Sequence, residues 1–398
     1  MTRFCTGLVL LALLAVGALA ADEPLKSALP GFIKGYTWGW VGYRGQYETP
    51  RSATSMKRLS DTGAQWVCIA FGVSMKTFDT PEISWGESNP SMVSDDEIRH
   101  AIDMARQFGM KVILKPVVNP DDNVWRAQIK FTKPAPDDNQ SPPPDVAKSS
   151  ASTKASPPKQ IKDLDKWDRW WENYSAFMLH YAKLAEEKHV PIFCLGCEMN
   201  SSEEFEDHWR KLIAEVRKVY TGLLTYNVNH DNEDNVHWWD DVDFISVSAY
   251  YAIRPANNRS MDEAVKETTP VDEIVAGLQR IKSRLAKISA KWHKPILFIE
   301  TGVLNARGFA RYPWSHNDEH IDSPIDEQEQ ANFYEAMCQA FWNEPWFMGF
   351  TWWEWPAQIP DLNHPDGTRT FSVDGKKGEA ILREWYAKPT HEVIPVSK

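Results

Sequence analysis

Eight short apolar runs, rich in β-branched and aromatic residues, recur along the chain with helix-patterned stretches between them. They are Gly35–Trp40, Trp66–Val73, Lys111–Val118, Ile192–Glu198, Leu223–Asn229, Asp243–Tyr250, Pro295–Gly302 and Gly349–Trp355. Several are apolar almost throughout, as strands covered on both faces must be. Strand-then-helix alternation implies a parallel sheet with helical crossovers. Eight such strands, with no Gly-rich phosphate loop after the first, predict an α/β fold of the (β/α)8 TIM-barrel class rather than an open doubly wound sheet. Residues 30–390 would make up this single domain.

Helix starts are legible between the strands. Ser94-Asp95-Asp96-Glu97 is a capping box opening a helix to Phe108, with Gly109 as its stop. Ser201-Ser202-Glu203-Glu204 predicts the same for a helix ending at Tyr220. Trp167–Glu187, Val271–Trp292, Asp326–Trp342 and Gly378–Trp385 are further helical stretches, and Ser52–Asp61 and Asn235–Asp241 fill the remaining connections. Residues 133–163 break the pattern. They are rich in Pro, Ser, Lys and Asp with little to bury, and read as a flexible insertion on the loop after the third strand.

Composition narrows the setting. The first 21 residues carry Arg3, then an apolar core ending in Ala18-Leu19-Ala20, the pattern of a cleaved secretory signal peptide. The mature chain is expected to be secreted or periplasmic, without stable membrane insertion, because no second apolar stretch of spanning length follows. A net charge of −11 argues against nucleic acid or an anionic membrane as partner. Cys68, Cys194, Cys197 and Cys338 are too few for a disulfide framework and read as small buried hydrophobes. A monomer is expected. The chain has 19 tryptophans, whose flat faces can pack a core or stack against sugar rings.

In such a barrel, chemistry sits at the carboxyl ends of the strands. Read in order, those ends supply Trp38 and Trp40, Lys115 and Asn119, Glu198, Asn229, Tyr250, Glu300, and the cluster Trp352-Trp353-Glu354-Trp355. Strict alternation puts Cys194, Gly196 and Glu198 on one face of their strand and Cys197 on the other. It groups Glu300 with Ile296 and Phe298 and Tyr250 with Ser246 and Ser248; the last strand is ambiguous, the same rule turning Thr351, Trp353 and Trp355 inward with Trp352 as the alternative. Glu198, Tyr250 and Glu300 should then converge.

Two carboxylates flanking one bond are what glycoside hydrolysis needs, one as proton donor and one as nucleophile. Tyr250 could hold the nucleophile ionised by a hydrogen bond. Trp38, Trp125 and Trp353 are candidate sugar platforms, with Asn229 and Lys115 as further substrate-binding groups. A structural ion pair of Lys115 with either glutamate is the competing assignment. Redox chemistry at Cys194-Leu195-Gly196-Cys197 is disfavoured, since the pair lies on a strand rather than at a helix start. His230, His237 and His316 are scattered, so neither a metal nor any other cofactor is expected.

These residues also carry a family likeness. SDDEIRHAIDMARQFGMKVILKP, the LGCE strand, WRKLIAEVRKVYTGLLTYNVN, VDFISVSAYY, KPILFIETG and WWEW together resemble the clan A glycoside hydrolases, and within them family 113. The resemblance runs from Gly35 to about Tyr386, interrupted by the insertion. It implies a retaining mechanism with Glu198 as acid/base and Glu300 as nucleophile, acting on β-1,4-mannan or manno-oligosaccharides. One position departs from the clan, most of which places Asn immediately before the acid/base; here that residue is Cys197. Two alternatives stay open: a sugar-binding protein on the same barrel that has lost catalysis, and the same chemistry directed at β-glucan or xylan.

Overall fold

The structure is a computed structural model that describes residues 29–135, 160–254, 260–315, 323–359 and 369–393. The 1–21 segment and residues 136–159 of the insertion lie outside the described residues.

Among the described residues, eight parallel strands close into a barrel. They are β1 (Ile33–Trp38), β2 (Trp66–Met75), β3 (Lys111–Pro120), β4 (Ile192–Cys197), β5 (Leu223–Asn229), β6 (Ile245–Ser248), β7 (Ile296–Thr301) and β8 (Phe347–Trp355). Each pairs with its successor, and β1 pairs with both β2 and β8, so the sheet has no free edge. This is the expected (β/α)8 barrel. Around it lie α1 (Pro50–Asp61), α2 (Asp95–Gln107), α3 (Leu164–Glu187), α4 (Glu206–Arg217), α5 (Val271–Trp292), α6 (Glu327–Phe341) and α7 (Lys377–Ala387). Between β5 and β6 the crossover holds only a single 3-10 turn, Trp239–Asp241. The described ends of the insertion pair antiparallel, Thr132 with Lys162 and Pro134 with Gln160, as a two-stranded ribbon.

Local chemistry accounts for most boundaries. At α2 the Ser94 hydroxyl accepts from the Glu97 amide at 3.1 Å and Glu97 accepts from the Ser94 amide at 3.0 Å, the reciprocal cap expected there. The second predicted box fails. Asn200–Ser202 form a 3-10 turn and α4 begins only at Glu206, because the Ser201 hydroxyl donates to the Ile129 carbonyl and the Glu204 carboxylate pairs with Lys162 instead of the two closing a cap. Most of the tryptophans turn out to be core, packed between strands and helices; Trp209 and Trp238, for example, stack at 4.9 Å. Burying one such ring stabilises by several kcal/mol at most, about 1.5–3 for a typical apolar side chain.

Three strands carry one extra residue at their carboxyl ends. In β4, Cys194 pairs with Thr225 and Cys197 with Asn227, three steps against two. In β7, Leu297 pairs with Ser246 and Glu300 with Ser248. In β8, Trp352 pairs with Tyr36 and Trp355 with Trp38. Each bulge resets the alternation of facing beyond it.

The seam where β8 closes on β1 depends on Gly349, whose φ is +114° and whose added Cβ would lie 2.1 Å from the Ile33 carbonyl oxygen. Gly109, also at positive φ (+79°), has open space around it. Gly349→Ala should therefore cost at least about 3 kcal/mol or prevent folding, and Gly109→Ala only about 1 kcal/mol. Urea titration of the two variants checks the contrast.

Candidate active site

The barrel's carboxyl mouth opens into a cleft of about 650 Å³. Glu198 and Glu300 both line it and both are buried, with 6% and 7% of their surface exposed. The bulges decide this. Without the extra residue in β7, Glu300 would face the same way as Phe298, which packs outward on Phe341 of α6 at 4.8 Å. Glu198 follows the β4 bulge in a left-handed conformation, φ 55°, and its amide donates to the Asn227 carbonyl at 2.8 Å.

The two carboxylates have different surroundings. Lys115 Nζ donates to Glu300 Oε2 at 2.7 Å, and the Tyr250 hydroxyl donates to Oε1 at 3.0 Å. Burial pushes the Glu300 carboxyl up, but the Lys115 charge and hydrogen bond, the Arg126 charge and the Tyr250 hydroxyl together hold it below the ordinary glutamate value. Lys115, fully buried, is in turn raised: desolvation disfavours its charge, and Glu300 outweighs it. Its ammonium also lies 5.6 Å from the centre of the Trp353 ring. Glu198 is held on one oxygen only. Arg126 Nη1 and Trp125 Nε1 both donate to Oε2, at 2.8 and 3.1 Å, and Oε1 takes no hydrogen bond from the described residues.

Lys115, Trp125, Glu198, Asn229, Tyr250, Glu300 and Trp353 all line this one cleft. Trp38 does not, and its expected platform role is corrected. Its indole points into the helix layer, donating to Ser55 Oγ at 3.1 Å and packing on Tyr47. Trp40 lines the cleft in its stead, 5.7 Å from Trp353 and with the Arg126 guanidinium over its ring at 5.4 Å. Trp355 likewise faces out, packed on Tyr36, where alternation turned it inward. Cys197 is the third correction. The β4 bulge turns its thiol toward the cleft, 3.8 Å from Glu300 Oε2, where it also accepts from Asn227 Nδ2 at 3.1 Å. Burial raises this thiol well above its usual range, and all four described cysteines are buried and free.

Arg126, His230 and Trp314 were not among the expected site residues, yet all three line the cleft. Arg126 was within reach of sequence reasoning, as the residue after Trp125 on the loop leaving β3. Trp314 was not, because it follows an irregular segment long after β7 and only the fold brings its ring against His230 at 5.7 Å. No cluster of three or more His, Cys, Asp or Glu among the described residues is arranged to hold a metal ion.

A closed barrel with two unlike carboxylates at its carboxyl mouth, between indole faces, has the construction of a glycoside hydrolase. The family model of Glycoside Hydrolase Family 113 matches residues 36–144 and 154–376. The chain belongs to glycoside hydrolase family 113, and so to the clan A barrels. Among solved structures it is similar to the GH113 β-mannanase AaManA from Alicyclobacillus acidocaldarius in complex with ManMIm, at 34% identity and TM-score 0.73, over 90% of this chain and 98% of that one. A second similar structure is a GH113 β-1,4-mannanase, at 32% identity and TM-score 0.71, over 90% and 100%. A family 5 mannosidase from Rhizomucor miehei shares the fold at 11% identity, TM-score 0.57, over 90% and 93%. No curated protein matches the chain.

Glu300 is kept ionised largely by Lys115, so removing that charge should raise its pKa. On the expectation that Glu300 works as a carboxylate, Lys115→Met should move the acid limb of the kcat/KM–pH profile toward neutrality, since that ionised form would then be lost at higher pH. The same change should cost about 100-fold in kcat at the optimum. A pH profile of the variant on a β-linked oligosaccharide measures both.

Proposed function

We propose that the protein is an exported, retaining β-mannanase that cleaves β-1,4-linked mannan or manno-oligosaccharides. The observation that carries the chemistry is the asymmetry of the two glutamates. Glu300 accepts a hydrogen bond on both oxygens, one from a cation, and is held ionised, which suits a nucleophile. Glu198 is held only on Oε2 by the described residues, which suits Oε1 to pass a proton.

In the first step the Glu300 carboxylate attacks the anomeric carbon while Glu198 gives its proton to the departing glycosidic oxygen, and the sugar–oxygen bond breaks. In the second a water attacks the same carbon, Glu198 takes the water's proton, and the bond to Glu300 breaks. The two inversions together retain the anomeric configuration. Lys115 and the Cys197 thiol sit on the far oxygen of Glu300, Oε2. Asn227, tied to Cys197 and to Ser248, is occupied; of the asparagines lining the cleft, Asn229, at the end of the strand next to β4, is the amide assigned to the substrate 2-hydroxyl.

The indoles divide between the two carboxylates. Trp353 stands by Lys115 and hence Glu300, and Trp40 lies between the two sides, 5.7 Å from Trp353 and under the Arg126 guanidinium that binds Glu198. Trp125 bonds Glu198, and Trp314, exposed at the mouth, stacks on His230. Sugar rings on the leaving-group side would meet the second pair. The choice of mannan is supported by the β-mannanase relatives at 34% and 32% identity. Export rests on the 1–21 pattern, and intact mass of the mature protein would reveal whether that segment is removed.

A product screen on β-1,4-mannan, β-glucan and xylan tests the substrate, with mannan expected to be cleaved fastest. Glu300→Gly and Glu198→Gln should each lower kcat by at least roughly 10³-fold, with azide restoring turnover to the Glu300 variant as the inverted glycosyl azide. An initial product of inverted configuration from the unaltered enzyme would refute the nucleophile.

A further inference from the structure

The acid/base candidate is placed by a hydrogen-bonded chain behind the cleft wall. Glu198 has φ 55°, a left-handed conformation that is unfavourable for a non-glycine residue and persists only when its surroundings enforce it. Two consecutive amides are fixed by two consecutive residues of β5. The Glu198 N–H donates to the Asn227 carbonyl at 2.8 Å. The Met199 N–H donates to the Tyr226 hydroxyl oxygen at 3.0 Å.

The Tyr226 hydroxyl in turn donates to Glu203 Oε1 at 2.8 Å. Its ring is fully buried, wedged against Trp209 and Trp238 at 5.0 and 4.9 Å. Gly196 makes room for this arrangement: a Cβ there would stand 3.1 Å from Tyr226 and 2.6 Å from the Tyr174 hydroxyl. Among the described residues Glu203 has no cationic partner, and its second oxygen is buried without a hydrogen bond. Burial pushes its carboxyl up to about 8, so at neutral pH it is mostly protonated. A buried, neutral acid that contributes no charge to the cleft has one evident task, which is to orient the tyrosine.

We propose that Tyr226, seated by Glu203, is a positioning residue that aims the Glu198 carboxyl through the Met199 amide. This rests on the acid/base assignment of Glu198. The Tyr226 ring does not enter the cleft, so its effect passes through the backbone of residues 198 and 199. Losing the hydroxyl frees the Met199 amide and lets Glu198 relax toward ordinary φ. Proton donation to the leaving group then suffers, and attack by Glu300 does not.

Leaving-group dependence reads this out, because a 2,4-dinitrophenyl group departs without protonation and an unsubstituted phenyl group does not. In the full-length enzyme, Tyr226→Phe is expected to lower kcat/KM on phenyl β-mannobioside by about ten-fold or more, and on the dinitrophenyl analogue by less than about three-fold. Glu198→Ala, run in parallel, should show the same selectivity more steeply. Glu203→Gln, which still accepts from the tyrosine, should behave as the unaltered enzyme, and Glu203→Met should reproduce the selectivity of Tyr226→Phe. These two variants also decide the matter if Tyr226→Phe fails to fold. Equal loss on both substrates in the Tyr226 and Glu203→Met variants, with Glu198→Ala still selective, overturns the positioning role and leaves the acid/base assignment standing. Absence of selectivity in Glu198→Ala overturns both.

Discussion

A closed parallel barrel has a dry, filled interior, and that constraint governs where this chain can keep charge. Lys115 and Glu300 are both buried at the barrel mouth, and neither would tolerate its position alone. Removing one leaves an unpaired charge in low dielectric, at a cost of several kcal/mol. Their attraction lets a carboxylate remain ionised in a place where water cannot solvate it. The tyrosine on the other oxygen and the thiol of Cys197 complete its shell.

A strand presents its side chains alternately, and strict alternation along β4 and β7 would not bring this set of residues together. One extra residue near the end of each strand resets the facing, so that Cys197 and Glu300 look inward behind strand bodies whose earlier residues pack as the alternation requires. The β8 bulge acts on the tryptophan run, where Trp353 keeps the inward facing that alternation gives it and Trp355 is turned out to Tyr36. Backbone irregularity is confined to the mouth, where the function needs it and where the core loses least by it.

Much of the architecture was legible because hydrophobic periodicity and caps are local. All eight strands lie where apolar runs placed them, and α2 begins at its capping box. The failures have a common cause in competition for a side chain by a partner remote in sequence. Ser201 and Glu204 read as a helix cap and are taken by the Ile129 carbonyl and by Lys162. Trp38 reads as a rim platform and is drawn outward by Ser55 and Tyr47, which leaves the cleft to Trp40. Cys197 reads as turned away, since nothing in six residues announces a bulge.

The sequence by itself determined the barrel, the pairing of a glutamate after the fourth strand with one at the seventh, and the abundance of indole around them. Those follow from period, spacing and residue type, which any short window displays. Only the tertiary structure decided which side of each strand faces the cleft, which cation serves which carboxylate, and that Arg126, His230 and Trp314 complete the wall. The physical reason is that register between neighbouring strands is a property of pairs. A bulge in β4 exists only relative to β5, and the 185 residues separating Lys115 from Glu300 carry no local trace of the 2.7 Å between them.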